Sequence, residues 1–72
     1  MNTNNLKAEV TRSGMSIEEF LYKINSKGIK MSKSSYYKRL RGTYEFDRKE
    51  ILVITDVLNL SKQQMNDIFF GE

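Results

Sequence analysis

Apolar residues recur every third or fourth position along the whole chain, the period that puts one stripe of side chains on one face of an α-helix. No stretch alternates as a half-buried strand does, and there is no proline or low-complexity tract to divide the pattern. The pattern therefore predicts packed short helices. A local signature sharpens their starts: an apolar residue, a capping residue, two others, then Glu or Gln followed by an apolar residue. Full copies are Met15-Ser16-Ile17-Glu18-Glu19-Phe20, Phe46-Asp47-Arg48-Lys49-Glu50-Ile51 and Leu60-Ser61-Lys62-Gln63-Gln64-Met65. In each, the Ser or Asp oxygen can accept from an unpaired first-turn amide while Glu or Gln reaches back to the cap's own N–H. Met31-Ser32-Lys33-Ser34-Ser35-Tyr36 keeps the cap but has Ser where the box wants Glu or Gln.

The stops agree with the starts. Gly14, Gly28 and Gly42, and Asn59 after the fourth segment, stand where a left-handed residue ends a helix. Helices are thus expected over residues 5–12, 17–26, 33–41, 48–58 and 62–70, one compact all-α domain spanning residues 1–72 with an ordered core of about 5–70. The expected buried set is Leu6, Val10, Phe20, Leu21, Ile24, Tyr36, Leu40, Ile51, Ile54, Leu58 and Met65, with Met15, Met31 and Phe46 sealing the corners.

Composition narrows the chemistry. A chain of 72 residues has room for one shared core, and without Cys, His or Trp it offers no thiolate zinc site, cysteine nucleophile, histidine base or redox switch. An enzyme is not expected, and neither is a cofactor or a small-molecule substrate. The longest uncharged apolar run, Ile51-Leu52-Val53-Ile54, is far short of a bilayer span, and the first residues lack the basic-then-apolar plan of a signal peptide. The expectation is a soluble, cytoplasmic protein with no membrane partner.

Charge distribution says more than its total of +3. Between Phe20 and Tyr44 stand Lys23, Lys27, Lys30, Lys33, Lys38, Arg39 and Arg41 with no acid, while both flanks are acidic. Such a run is expected to find few partners within the chain and to suit a polyanion. Its centre is the third helix, where only Tyr36 and Leu40 form an apolar pair at i and i+4. At 100° per residue Lys33, Ser34, Tyr37, Lys38 and Arg41 share a common arc, and an α-helix fits the major groove of B-DNA, where such donors meet base edges and phosphates.

These residues resemble a family. Ser16-Ile17-Glu18-Glu19-Phe20-Leu21-Tyr22-Lys23-Ile24 and Met31-Ser32-Lys33-Ser34-Ser35-Tyr36-Tyr37-Lys38-Arg39-Leu40-Arg41-Gly42 resemble the two motif helices of the lambda-repressor and Cro-like helix-turn-helix regulators of phages and their hosts. The resemblance covers residues 5–70. It implies a five-helix fold with helices 2 and 3 as the motif, double-stranded operator DNA as partner, base contacts from Lys33, Ser34 and Lys38, and phosphate contacts from Arg41 and Thr43. The connection after Ile24 is longer than the family's tight turn: either helix 2 runs on to Lys27, or the segment loops out, pinned by Ile29 and Met31. Lys27 and Lys30 are then expected at the phosphate backbone. Ile17 stands where the family places a phosphate-binding Gln, so that contact is expected to be either absent or replaced by Tyr22 or Lys23.

The expected function is a transcriptional repressor, with a protein-interaction module presenting Tyr36-Tyr37 or Phe69-Phe70 as the rival reading. The last helix places Met65, Ile68 and Phe69 on one arc and turns Phe70 aside. One stripe cannot bury all four, which predicts a weak homodimer through Ile68, Phe69 and Phe70, completed on DNA. The other outcome is that Phe69 and Phe70 fold back over the core beside Leu6 and Leu58.

Overall fold

Five helices form among the described residues: α1 (Thr3–Arg12), α2 (Ile17–Ser26), α3 (Lys33–Leu40), α4 (Arg48–Leu58) and α5 (Lys62–Phe69). The structure, a computed structural model, describes residues 2–71; Met1 and Glu72, included in the expected domain, lie outside the described residues. No strand occurs among the described residues.

Local chemistry explains the helix starts. At Ser16, Asp47 and Ser61 the capping box closes in both directions, as with Asp47, whose Oδ1 accepts from the Glu50 N–H at 2.8 Å while Glu50 Oε1 accepts from the Asp47 N–H at 2.9 Å. Ser32 caps α3 one-sidedly by accepting from the Ser35 N–H at 3.1 Å. The first helix begins two residues earlier than residue 5 because Asn2 caps it and Thr3 is tethered, its hydroxyl donating to the Leu40 carbonyl at 3.2 Å. Two left-handed glycines bracket α3. Gly28 (φ 95°) ends α2 and Gly42 (φ 86°) ends α3, and each closes a paired C-terminal motif: Gly28 N–H to Asn25 O with Ile29 N–H to Ile24 O, and Gly42 N–H to Arg39 O with Thr43 N–H to Lys38 O. A Cβ at either position would meet a strained backbone whatever the space around it.

α2 packs on α3 and α4, while α5 packs on α1 and α4. Their shared core contains Leu6, Val10, Phe20, Leu21, Ile24, Tyr36, Leu40 and Ile54 as expected, with Met31 and Phe46 closing corners. A row of aromatic rings in edge-to-face contact runs through it: Phe20 to Tyr36 at 5.7 Å, Tyr36 to Phe46 at 6.4 Å and Phe46 to Phe69 at 5.6 Å. The row ties α2, α3, the α3–α4 connection and α5 together.

Two expectations are corrected and one open choice is resolved. Ile51, Leu58, Met65 and Met15 are only half-buried, while Ile29, Ile68 and Phe69 enter the core. Helix 2 does not run on to Lys27 as a helical residue; it ends at Ser26, and the connection loops out, with Ile29 and Met31 both buried. Asn25 holds that loop, its Nδ2 donating to Leu21 O (2.7 Å) and Met31 O (2.9 Å) while Oδ1 accepts from the Met31 N–H (3.0 Å). Finally, Ile68 and Phe69, expected at a dimer surface, are interior residues: the end of α5 turns both inward, Phe69 onto the aromatic row, and leaves Phe70 56% exposed. Neither sequence-based outcome for this pair of phenylalanines holds whole.

Candidate nucleic-acid interface

α3 packs on the core through two side chains. Tyr36 (0% exposed) and Leu40 face the core, while Lys33, Ser34, Tyr37 and Arg41 are exposed and Lys38 is half-exposed. At 100° per residue the five share an arc of about 140°, with Lys38 opposite the Tyr36–Leu40 direction and Lys33, the exposed first residue of the helix, beside it. Thr43 lies on the exposed turn set by Gly42, and Lys23, Lys27 and Lys30 are exposed on α2 and the connection after it.

Ion pairing divides the basic run. Contrary to the expectation of few intrachain partners, three of its seven cations meet acids from other elements: Lys27 Nζ lies 2.9 Å from Asp56, Lys33 Nζ 2.8 Å from Glu18, and Arg39 3.0 Å from Glu50. The first two pairs are exposed and the third is interior. Glu50 is 5% exposed, accepts both Arg39 Nε–H (3.1 Å) and Nη2–H (3.0 Å), and also completes the α4 capping box. Arg39 further donates to the carbonyl and hydroxyl of Ser35. This forked pair fixes the end of α3 against the start of α4, so Arg39 belongs to the scaffold. Lys23, Lys30, Lys38 and Arg41 have no carboxylate within 4.0 Å among the described residues, and the Lys38 ammonium sits 5.9 Å from the centre of the Tyr44 ring.

Two perturbed groups lie on the α2–α3 edge. The hydrogen bond from Lys33 holds the Glu18 carboxyl below its ordinary range, helped by the Glu18 backbone amide, and the same bond raises the Lys33 ammonium. Both groups are therefore fully charged at neutral pH. Within the core, burial, with a smaller contribution from Tyr37, pushes the Tyr36 phenol up to about 12, and its hydroxyl has no hydrogen-bond partner among the described residues.

Ile17, at the position where the family resemblance places a phosphate-binding Gln, packs against the core and presents no polar group. Its neighbour Glu18 is the exposed residue there. Sequence reasoning overlooked Arg39, Asn25 and Glu18. Arg39 was recognisable from its spacing, since a residue three beyond Tyr36 and one before Leu40 flanks the buried stripe. Asn25, three before the helix-ending glycine, carried no comparable signal.

No cluster of three or more metal-ligating side chains occurs among the described residues, and no helix there is long and apolar enough to cross a membrane. The chain matches no protein-family model, no curated protein and no solved structure.

Proposed function

We propose that this chain is a sequence-specific DNA-binding transcriptional regulator, a repressor of phage or mobile-element type, with α2 and α3 acting as a helix-turn-helix in a lambda-repressor-like arrangement. The observation that carries the reading is the outer face of α3: a row of Lys33, Ser34, Tyr37, Lys38 and Arg41 on a helix rigidly anchored by Tyr36, Leu40 and the Arg39–Glu50 pair. A helix presenting donors without intervening acids suits the major groove. Lys33, Ser34, Tyr37 and Lys38 would read base edges; Lys23, Lys30, Arg41 and Thr43 would meet phosphates, with Lys27 joining them on release from Asp56. Repression would result from exclusion of polymerase, and in the absence of a ligand its level would be set by protein concentration.

The competing reading, a protein-interaction module, loses much of its surface. Tyr36 and Phe69 are buried, and what remains is Tyr37 and Phe70, the latter bordering a cleft of about 480 Å³ that also contains Tyr44 and Arg41. Selection from a pool of randomised duplexes separates the two. A DNA reader enriches one short consensus and keeps weak affinity for the rest; a protein-interaction module enriches none.

A further inference from the structure

Glu18 is an acid in contact with the proposed DNA-reading face. It stands in the first turn of α2 and pairs with Lys33, the first residue of α3, at 2.8 Å. Glu18 takes no part in the Ser16 capping box, which Glu19 completes. An ion pair as open to solvent as this one, with side chains 70% and 54% exposed, contributes little to folding. Its effect falls on what the face binds.

Elementary electrostatics gives the pair two effects. A carboxylate on a surface that meets phosphates repels all duplexes alike, and the ammonium it neutralises no longer acts as a free cation releasing counterions. The pair also restrains Lys33. An ammonium has three N–H donors; with one on Glu18, two remain for the O6 and N7 acceptors of a guanine. Random DNA bears the repulsion without this compensation.

We propose that Glu18 is a specificity-determining residue, which withholds Lys33 from phosphates on every sequence and presents it to a base edge at the operator. The proposal rests on the DNA-reading function and assigns that site a means of discrimination.

The test is Glu18→Gln in the full chain, with circular dichroism confirming the fold. Binding is titrated against the duplex enriched by selection and against a scrambled duplex, between 50 and 200 mM salt. Release of Lys33 should raise affinity for the scrambled duplex and steepen its salt slope by about one unit, an extra loss of about 3.5-fold across that range. The ratio of specific to nonspecific affinity should fall about fivefold or more, the lower end of what one base contact discriminates. In a Lys33→Gln background the same substitution should leave that ratio unchanged, since Glu18 acts through Lys33. An unchanged slope and ratio in the Glu18→Gln variant, with wild-type binding intact, overturns this proposal alone, as does an equal fall in the Lys33→Gln background. Failure of the wild-type chain to bind either duplex overturns the DNA-reading function along with it.

Discussion

Replacing Arg39 with Met should cost about 2–4 kcal/mol of stability and leave the salt dependence of DNA binding unchanged. The substitution keeps a long apolar stem but removes the guanidinium that Glu50 accepts from at 3.0 and 3.1 Å. Glu50 is then left 5% exposed with only the Asp47 N–H to satisfy it. Breaking a fully buried pair by removing one partner costs about 3–5 kcal/mol. The Arg39 side chain is still 18% exposed, so the expected loss is somewhat smaller. Against a total of about 4–10 kcal/mol for a chain of this length this is a large fraction. Urea unfolding followed by far-UV circular dichroism should show a midpoint lowered by about 2 M. Adding Glu50→Gln should restore part of the loss, because the stranded carboxylate is gone while the reach back to Asp47 is retained. A loss below about 1 kcal/mol would refute the scaffold assignment. So would a salt slope reduced by about one unit, which would place Arg39 on a phosphate.

Arg41→Ala, by contrast, should leave stability nearly unchanged and lower the salt slope by about one unit in a filter-binding series. Phe69→Ala should cost about 3 kcal/mol in urea unfolding and Phe70→Ala less than about 0.5 kcal/mol, since only the first is buried. Tyr36→Phe should be neutral or stabilising by up to about 1 kcal/mol at pH 7, because the hydroxyl it removes is buried without a partner among the described residues. The same substitution should change alkaline behaviour. The folded phenol titrates at about 12, above its ordinary 10, so its contribution is intact below pH 10 and is lost as pH rises through the folded value. Wild-type stability should therefore fall about 1.4 kcal/mol more than that of Tyr36→Phe between pH 8 and pH 11.

Much of the scaffold was legible because its signals are local. A capping box involves four consecutive residues, so Ser16, Asp47 and Ser61 announced their helices without knowledge of the rest of the chain. The buried face of α3 was legible for the same reason, being set by Tyr36 and Leu40 alone. What escaped depends on contacts distant in sequence. The acid-free run looked unpartnered because its partners, Glu18, Glu50 and Asp56, come from α2 and α4. Periodicity placed Met65, Ile68 and Phe69 on one arc and could not say how much of it α1 and Phe46 would cover. The Asn2 N–H donating to the Ile68 carbonyl at 2.6 Å holds the start of α1 against α5, which helps to leave the final helix with a deeper burial site than a stripe count suggests. Similarly, the choice between a longer helix 2 and a looped connection was decided by Asn25, a side chain bonding six residues ahead.

Under the proposed function, the outer face of α3 is the surface that meets DNA. The most direct measurement of this is an amide chemical-shift titration of the labelled chain with the selected duplex at moderate salt. The largest shifts are expected at residues 33–43, with smaller ones at Glu18, Lys23 and Lys30 and little change at Leu52 and Gln63 on the exposed sides of α4 and α5. Shifts confined to Tyr44, Leu52 and Phe70, or no saturable shifts at all, would contradict the proposed function.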